Sequence, residues 1–536
     1  MASISILGCS NQRSLFRSEC TEFSAIPDFR IFDSVMKRSL ILLLLTSCTF
    51  AFGQNYNRPI PAETFPYEFQ TAGNSAPGYF ITTQFKVNLL PSDPNYFPPY
   101  PVIYDENGYI AWYSKPDVRN ATDFKYFTEV DMFSYSTVEQ GLIKKFVILD
   151  GNLNRIDTLN VFNHTEDIHD FQRAANGNWL LSTRFADTMD LSAYTFDGTQ
   201  GSTQTIVRGY GVQEIDPNGN LVFEWNSSDH MHPTETYDFY GYNVNDFDYC
   251  HGNAIEEDDD GHLLFSMRHT NSIIKVHRTT GDIIWRLGGQ LSDFSFINNE
   301  TFSGQHDIRR LPNGRYSLFN NDNMGVAPLH SKGEEYILDT VNWTAEKVYE
   351  FHTMDNHYHG SRGSYRHLSN DYKMLGWGKS NRPAPTATLV DAQDNILSEF
   401  YFEDSVMVYR MLFDLDLALP RPEITCVNTG NGYELTVNSA TSYQWSTGET
   451  TQSIPVTTAG TYQVWVPYGE GFIGSLPFTV VDPNMPCTAS ISELQLDSEK
   501  FRLFNLIGQE VEHLENGHLY LKIYASGTIE KVIFQE

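Results

Sequence analysis

The stretch H-D-I-R-R-L-P-N-G-R-Y-S-L-F-N-N-D-N, residues His306–Asn323, decides the fold. A histidine opens a short run that ends at Pro312-Asn313-Gly314, and an alternating apolar run follows. Asn-Gly sets the tight turn between two antiparallel strands, because both residues tolerate positive φ. The same pattern recurs three times. It appears as H-D-F-Q-R-A-A-N-G-N-W-L-L-S-T (His169–Thr183), H-G-N-A-I-E-E-D-D-D-G-H-L-L-F-S-M-R (His251–Arg268) and H-G-S-R-G-S-Y-R-H-L-S-N-D-Y-K-M-L-G-W (His359–Trp377). Each unit is followed by two more strand-like runs joined by a turn, such as S-I-I-K-V-H-R-T-T-G-D-I-I-W-R-L-G-G (272–289).

Four short strands per repeat, at roughly 40–50 residues per repeat, make a propeller blade. The interval between His169 and His251 is longer and holds a polar, Tyr-rich insertion at 227–248. Two earlier units are legible, Tyr79–Phe85 with 101–113 and Phe124–Ser136 with 146–159. The last run, V-M-V-Y-R-M-L-F (406–413), returns to complete the first unit. Such a return leaves no open sheet edge in the ring. The expected fold is therefore an all-β, six-bladed β-propeller over 54–420. Pro420 and Pro422 mark a linker. A small immunoglobulin-like sandwich is expected at 421–487, from short strands such as A-G-T-Y-Q-V-W-V (459–466).

The chain has 536 residues, with 67 acidic and 36 basic side chains and a formal net charge of -31. That balance argues against nucleic acid as a partner, since phosphate backbones select basic faces. It suits a soluble protein outside the cell. Residues 36–53 read as a secretory signal peptide: Lys37 and Arg38, the apolar run Leu40–Leu45, then Ala51-Phe52-Gly53. Residues 1–35 read as an upstream mis-start, with Met36 the true start. Beyond Gly53 the cysteines are Cys250, Cys426 and Cys487. Cys426 and Cys487 bracket the small C-terminal segment and can pair in an oxidising compartment. Cys250 reads as a small buried hydrophobe.

Propeller first strands line the central channel, so His169, His251, His306 and His359 are expected to converge there, with Arg268 beside them. Imidazoles donate, accept and attack. A guanidinium fork matches a sulfate or phosphate oxygen pair. The cluster therefore reads as an oxyanion site. The acidic turn 256–261 lacks the alternating ligand pattern of a calcium loop and reads as a hairpin. His352, His357, His359 and His367 have spacing compatible with metal ligation, but Arg268 would repel a cation. No metal and no cofactor is expected.

The elements D-I-H-D-F (167–171), H-G-N-A-I (251–255) with Arg268, I-I-W-R-L-G-G (283–289) and Q-H-D-I-R-R-L-P-N-G-R-Y-S-L-F-N-N-D-N (305–323) resemble those of bacterial arylsulfotransferases. The run S-A-P-G-Y-F-I-T-T (75–83) is similar to theirs too. The resemblance implies a six-bladed propeller that moves sulfuryl from an aryl sulfate donor to a phenolic acceptor, with no nucleotide donor, through a sulfohistidine. It implies His306 as nucleophile, with His169, His251, Arg268 and His359 holding substrate. The chain departs from periplasmic members in having no cysteine pair near His306 and little room for an N-terminal assembly domain.

F-R-L-F-N-L-I-G-Q-E-V (501–511), N-G-H-L-Y-L-K-I (516–523) and K-V-I-F-Q (531–535) resemble the C-terminal sorting domain of the Bacteroidetes type IX secretion system. That resemblance covers 488–536 and implies the secretion machinery as a partner and a secreted or cell-surface location. Two other functions use the same residues: a secreted module that captures anionic glycans, and a metal-dependent lyase or hydrolase.

Overall fold

The computed structural model describes residues 58–483, apart from 62–63, 73–75, 87–98, 115–118, 140–142, 238–239, 354–356, 380–382 and 404–405, together with 501–504, 519–524 and 529–533. The expected signal peptide and the segment before it lie outside the described residues.

Among the described residues there is no α-helix, only short 3₁₀ turns between strands. Six sheets of at least four strands, antiparallel apart from two short parallel additions at Phe247–Asp248 and Ser295–Phe296, follow one another. Each begins with a strand that sits on one side of its sheet, and these six are labelled here. They are β1 (Arg119–Phe127), β2 (Thr165–Arg173), β3 (Gly252–Glu257), β4 (His306–Arg310), β5 (Ser364–His367) and β6 (Val406–Asp414). Every labelled strand leads its sheet outward through three more strands, as β3 does through Leu263–Met267, Ser272–Val276 and Ile283–Gly288. The labelled strands adjoin in a closed circuit, β1 to β2, β2 to β3, and onward until β6 meets β1.

The cores lie between neighbouring sheets. Phe146 and Ile148 pack on Phe171 and Leu181. Val212 and Trp225 pack on Phe265 and Ile274, and Leu264 and Trp285 on Ile308 and Leu318. Phe319 packs on Tyr365 and Trp377, Leu389 and Phe400 on Phe80 and Tyr104, and Ile103 and Trp112 on Phe124 and Phe133. Alternation along each strand puts one apolar row on each sheet face, so every sheet is greased on both sides.

The return of the chain is as the sequence suggests. Strand β6 pairs antiparallel with Tyr79–Lys86, Phe80 opposite Phe413, and completes the sheet of Tyr100–Asp105 and Ile110–Ser114. A second closure was not anticipated. Tyr67–Thr71 adds a fifth strand to the sheet of β5, against Ile396–Phe402.

Beyond Pro422, Thr425–Asn428, Tyr433–Thr436 and Ser453–Val456 form one sheet, and Gly460–Tyr462 pairs with Phe478–Val480. Gly471–Gly474 pairs with Ile110–Ser114, so this region continues the sheet of β6. Cys426 is disulfide-bonded, and Cys487 lies outside the described residues. Phe501–Phe504, Leu519–Tyr524 and Ile529–Ile533 form a separate three-stranded antiparallel sheet.

All six labelled strands contribute to one buried charge network. Lys125 Nζ lies 2.6 Å from both Asp123 and Asp170. Arg309 bridges Asp170 (3.1 Å) and Asp307 (2.9 Å). Arg366 and Arg410 both reach Asp307, at 2.9 and 3.0 Å, and Glu256 lies 3.6 Å from Arg309. Buried ions are tolerated because each has an opposite partner at contact distance.

Candidate active site

A cavity of about 420 Å³ is lined by His169, His251, Arg268, His306, Arg362 and Tyr409, with Phe85, Pro99 and Ile168 among its apolar walls. Four of the five residues singled out in the sequence meet here. His169 is on β2, His251 immediately precedes β3, His306 opens β4, and Arg268 directly follows the second strand of the β3 sheet. Both β3 and β4 are bulged against their partner strands, between Gly252 and Ala254 and between His306 and Arg309. A bulge re-aims side chains without ending the strand. His251 (φ 50), Asp307 (φ 61) and Arg362 (φ 67) take left-handed backbone there, a conformation that costs non-glycine residues about 1–2 kcal/mol each and concentrates at functional sites.

His359 does not line the cavity. It lies in the loop before β5, whereas His251 abuts β3 directly, so the two H-G motifs are not placed alike. Its ring packs on His357 at 5.0 Å between centroids. Its backbone serves the site instead: the carbonyl accepts Asn321 Nδ2 at 2.6 Å.

His306 is buried. Its Nδ1 lies 2.7 Å from Asn321 Oδ1. Asn321 Nδ2 donates to the carbonyls of His359 (2.6 Å) and Arg362 (2.9 Å), which fixes the amide with its oxygen toward the ring. Nδ1 therefore carries the proton and Nε2 the lone pair. Nε2 accepts the backbone N–H of Arg362 at 3.1 Å. Burial pushes this imidazole well below its ordinary pKa, Arg268 adds repulsion, and the Asn321 hydrogen bond opposes them. The ring is neutral at neutral pH, as a nucleophile must be.

Two aspartates absent from the sequence-derived set hold the other rings. Asp167 binds His169 Nδ1, and Asp248 Oδ2 binds His251 Nδ1 at 2.7 Å. Both carboxyls are depressed despite burial. Asp167 is held at about 2 by His169 and Arg184, and Asp248 below the ordinary carboxylate range by His251 and Arg184. Burial lowers His251. The His169 and His251 rings lie 4.9 Å apart between centroids.

Arg268 donates to the Gly360 carbonyl (2.6 Å), meets His269 Nε2 (2.8 Å) and stands over the Tyr240 ring at 5.0 Å. Its buried Nε has no hydrogen-bond partner. Arg362 reaches Ser361 Oγ at 3.2 Å and lies over the Phe85 ring at 5.4 Å. Neither guanidinium forms an ion pair with a carboxylate among the described residues, in contrast to Arg309, Arg366 and Arg410 beneath them. Two guanidiniums with no contacting carboxylate among the described residues, beside a neutral imidazole, form a receptor for an anion.

Among the described residues, Asp248, His251 and His269 are the group spaced for a metal ion. Arg184 binds Asp248 and Arg268 meets His269 Nε2, so cations already occupy those lone pairs. The other histidines scatter: His367 pairs with Glu335 at 2.6 Å, and His357 packs on Trp377 at 4.2 Å. In the acidic turn, Asp258 is tied to Lys275 at 2.5 Å. Cys250 is free and buried, its thiol pushed up to about 12 by burial.

Residues 145–402 match the arylsulfotransferase family model. This arylsulfotransferase-like region holds β2 to β5 and the polar cavity residues His169, His251, Arg268, His306, Ser361 and Arg362, whereas Thr122 and Tyr409 lie outside it. No curated protein matches the chain. Solved structures similar to it include a protein of unknown function from Bacteroides caccae, with TM-score 0.39, 9% identity and coverage of 63% of this chain and 99% of that one. Another is virginiamycin B lyase from Staphylococcus aureus with quinupristin, with TM-score 0.32, 12% identity and coverage of 70% and 96%. A third is a putative 6-phosphogluconolactonase from Bacteroides fragilis, with TM-score 0.35, 12% identity and coverage of 64% and 100%.

Proposed function

We propose that the six sheets are blades of one propeller and that its cavity transfers a sulfuryl group from an aryl sulfate to a phenol through His306. The observation that carries this reading is the pairing of a buried, neutral, oriented imidazole with Arg268, a guanidinium that contacts no carboxylate among the described residues. The family match over 145–402 supports aryl sulfotransfer as the reaction class.

In the first half-reaction His306 Nε2 gives its lone pair to sulfur, and the bond from sulfur to the aryl oxygen breaks. Arg268 holds the sulfuryl oxygens, in a loose transition state stabilised by positioning and charge. The departing phenolate takes a proton from Nε2 of His169 in its imidazolium form, since burial lowers His251. Each ring is fixed through Nδ1 by an aspartate, so Nε2 is the nitrogen that exchanges the proton. In the second half-reaction the same nitrogen takes the proton of the acceptor phenol, whose oxygen attacks sulfur and frees His306. Asn321 fixes the His306 tautomer throughout. The Arg362 N–H must leave Nε2 before attack, because that lone pair forms the new bond.

Export is part of the proposal. Residues 36–53 are the signal peptide, and 488–536 are the type IX sorting domain, whose described strands form their own three-stranded sheet.

The test is release of a chromogenic phenol from its sulfate ester, with and without a second phenol, by the native protein and His306→Ala. Acceptor-dependent release that vanishes in the variant supports the reading. Release that is independent of acceptor indicates hydrolysis. Absence of release with aryl sulfate still bound indicates a capture module.

A further inference from the structure

The cavity holds one guanidinium more than a sulfuryl group needs. A sulfate monoester carries a single negative charge, and Arg268, next to His306 and with its Nε unpartnered, is placed to meet it. Arg362 stands elsewhere. Its guanidinium lies over Phe85 and donates to Ser361 Oγ, and among the described residues the ionisable groups that act on it are Tyr409 and Arg268, with no carboxylate among them. Phe85, Pro99 and Ile168 form apolar wall in the same cavity, and Tyr409 adds a second aromatic ring there. The Tyr409 hydroxyl is turned to the Asn253 carbonyl at 3.4 Å, so it is its ring rather than its hydroxyl that is left to the cavity.

The backbone fixes Arg362 where it is. Its carbonyl accepts Asn321 Nδ2 at 2.9 Å, a bond that remains when its N–H leaves His306 Nε2 for attack. The next residue, Gly363, has φ 103, and a Cβ there would meet the Phe319 ring at 2.3 Å. A desolvated cation beside an aromatic slot, with no counter-charge among the described residues, is costly unless a ligand supplies that charge.

We propose that Arg362 is a specificity-determining residue that binds a second anionic group, a carboxylate, on the aromatic ring of the substrate. The preferred donors are then sulfate esters of carboxylated phenols, and the preferred acceptors are the phenols themselves. The inference rests on the sulfuryl-transfer reading for its chemistry, but the carboxylate contact itself does not depend on turnover. The guanidinium fork matches a carboxylate bidentately, and a charge-assisted bond of this kind in a partly buried site changes affinity about tenfold or more.

The experiment compares kcat/KM for 3- and 4-sulfooxybenzoate with that for their neutral primary amides, which keep the ring and remove only the charge. The native full-length chain is set beside Arg362→Gln and Arg362→Gly, the second chosen because glycine keeps the left-handed backbone without strain. The expected result is an acid-to-amide ratio of about ten or more in the native chain, reduced at least tenfold in both variants. A native ratio near one, or a ratio unchanged by both substitutions, overturns the proposal. Calorimetric binding of 3- and 4-hydroxybenzoate against the hydroxybenzamides is measured in parallel. If no donor is turned over but hydroxybenzoate binds with Arg362 dependence, the sulfuryl-transfer reading fails and the carboxylate site stands. If turnover depends on His306 and the acid gains nothing from Arg362, the carboxylate site fails alone.

Discussion

Replacing Asn321 by aspartate changes one atom of the site and separates two roles. In the native protein Nδ2 donates to the carbonyls of His359 and Arg362 at 2.6 and 2.9 Å, while Oδ1 faces His306 Nδ1 at 2.7 Å. In Asn321→Asp an oxygen faces both carbonyls. The His359 carbonyl keeps a second donor, Ser331 Oγ at 3.2 Å, whereas the Arg362 carbonyl loses its side-chain donor. Leaving a buried acceptor unsatisfied costs about 1–3 kcal/mol, so the variant should lose about that much stability. The second effect is on the imidazole. His306 now titrates well below its ordinary value. A carboxylate at hydrogen-bond distance favours the imidazolium and raises the pKa by about 1–3 units. Protonated His306 has no lone pair for sulfur, so activity is lost as pH falls through this pKa. The acid limb of kcat/KM should therefore move to higher pH by that amount, while the alkaline plateau remains. The assay is a pH profile of aryl sulfate turnover on protein shown to be folded by its thermal transition. A folded variant whose acid limb stays in place, or moves to lower pH, would refute the assignment of that limb to His306.

Arg268→Ala should lower kcat/KM for any aryl sulfate by roughly a hundredfold or more, as loss of a principal oxyanion donor does, with His306→Ala removing acceptor-dependent transfer altogether. Asp170 joins β2 to cations from β1, β4 and β6, so Asp170→Asn should cost about 3–5 kcal/mol in denaturant unfolding, because it strands buried cations. Glu256 is pushed up to about 7, chiefly by burial, so the folded state holds its proton more tightly than the unfolded chain does. Its contribution to stability is therefore full below the ordinary carboxylate pKa and declines as pH rises toward 7. Glu256→Gln should remove as much as about 3 kcal/mol of that decline between pH 4 and 8, measured as the difference between the two stability curves.

The successive sheets were legible because strand alternation and Asn-Gly or Asp-Gly turns are local signals. The return of β6 was legible because the first unit read a strand short. His169, His251, Arg268 and His306 were legible as a group because each holds a fixed place in a repeat whose first strands meet. His359 shows where that reasoning stops. Its H-G-S matches the H-G-N of His251 as a string, but four residues separate it from the start of β5, and its ring falls outside the cavity. Asp248, Asn321 and Arg362 were not legible, because their roles depend on loop paths and left-handed backbone rather than on periodicity. Asp167 stood within the quoted D-I-H-D-F, two residues before His169. A spacing of i and i+2 on one strand puts both side chains on the same face and was the available signal. The strands Tyr67–Thr71 and Gly471–Gly474 pair with partners far away in the chain, and nothing local announces such pairing.

The pairing of Gly471–Gly474 with Ile110–Ser114 bears on where the polypeptide can be cut. The Trp112 indole N–H donates to the Tyr468 carbonyl at 3.1 Å, and Trp465 donates to the Ile110 carbonyl at 3.2 Å. A recombinant fragment ending at Pro420 would bare a row of amides and carbonyls beside Trp112 and Tyr113, a template for sticking to another copy of itself. Stopping after residue 483 keeps that flank covered. Residues 423–483 are thus not a detachable tail: for the sheet of β6 they are its outer wall, and the practical boundary of this folded unit lies some way past the proline that seemed to mark it.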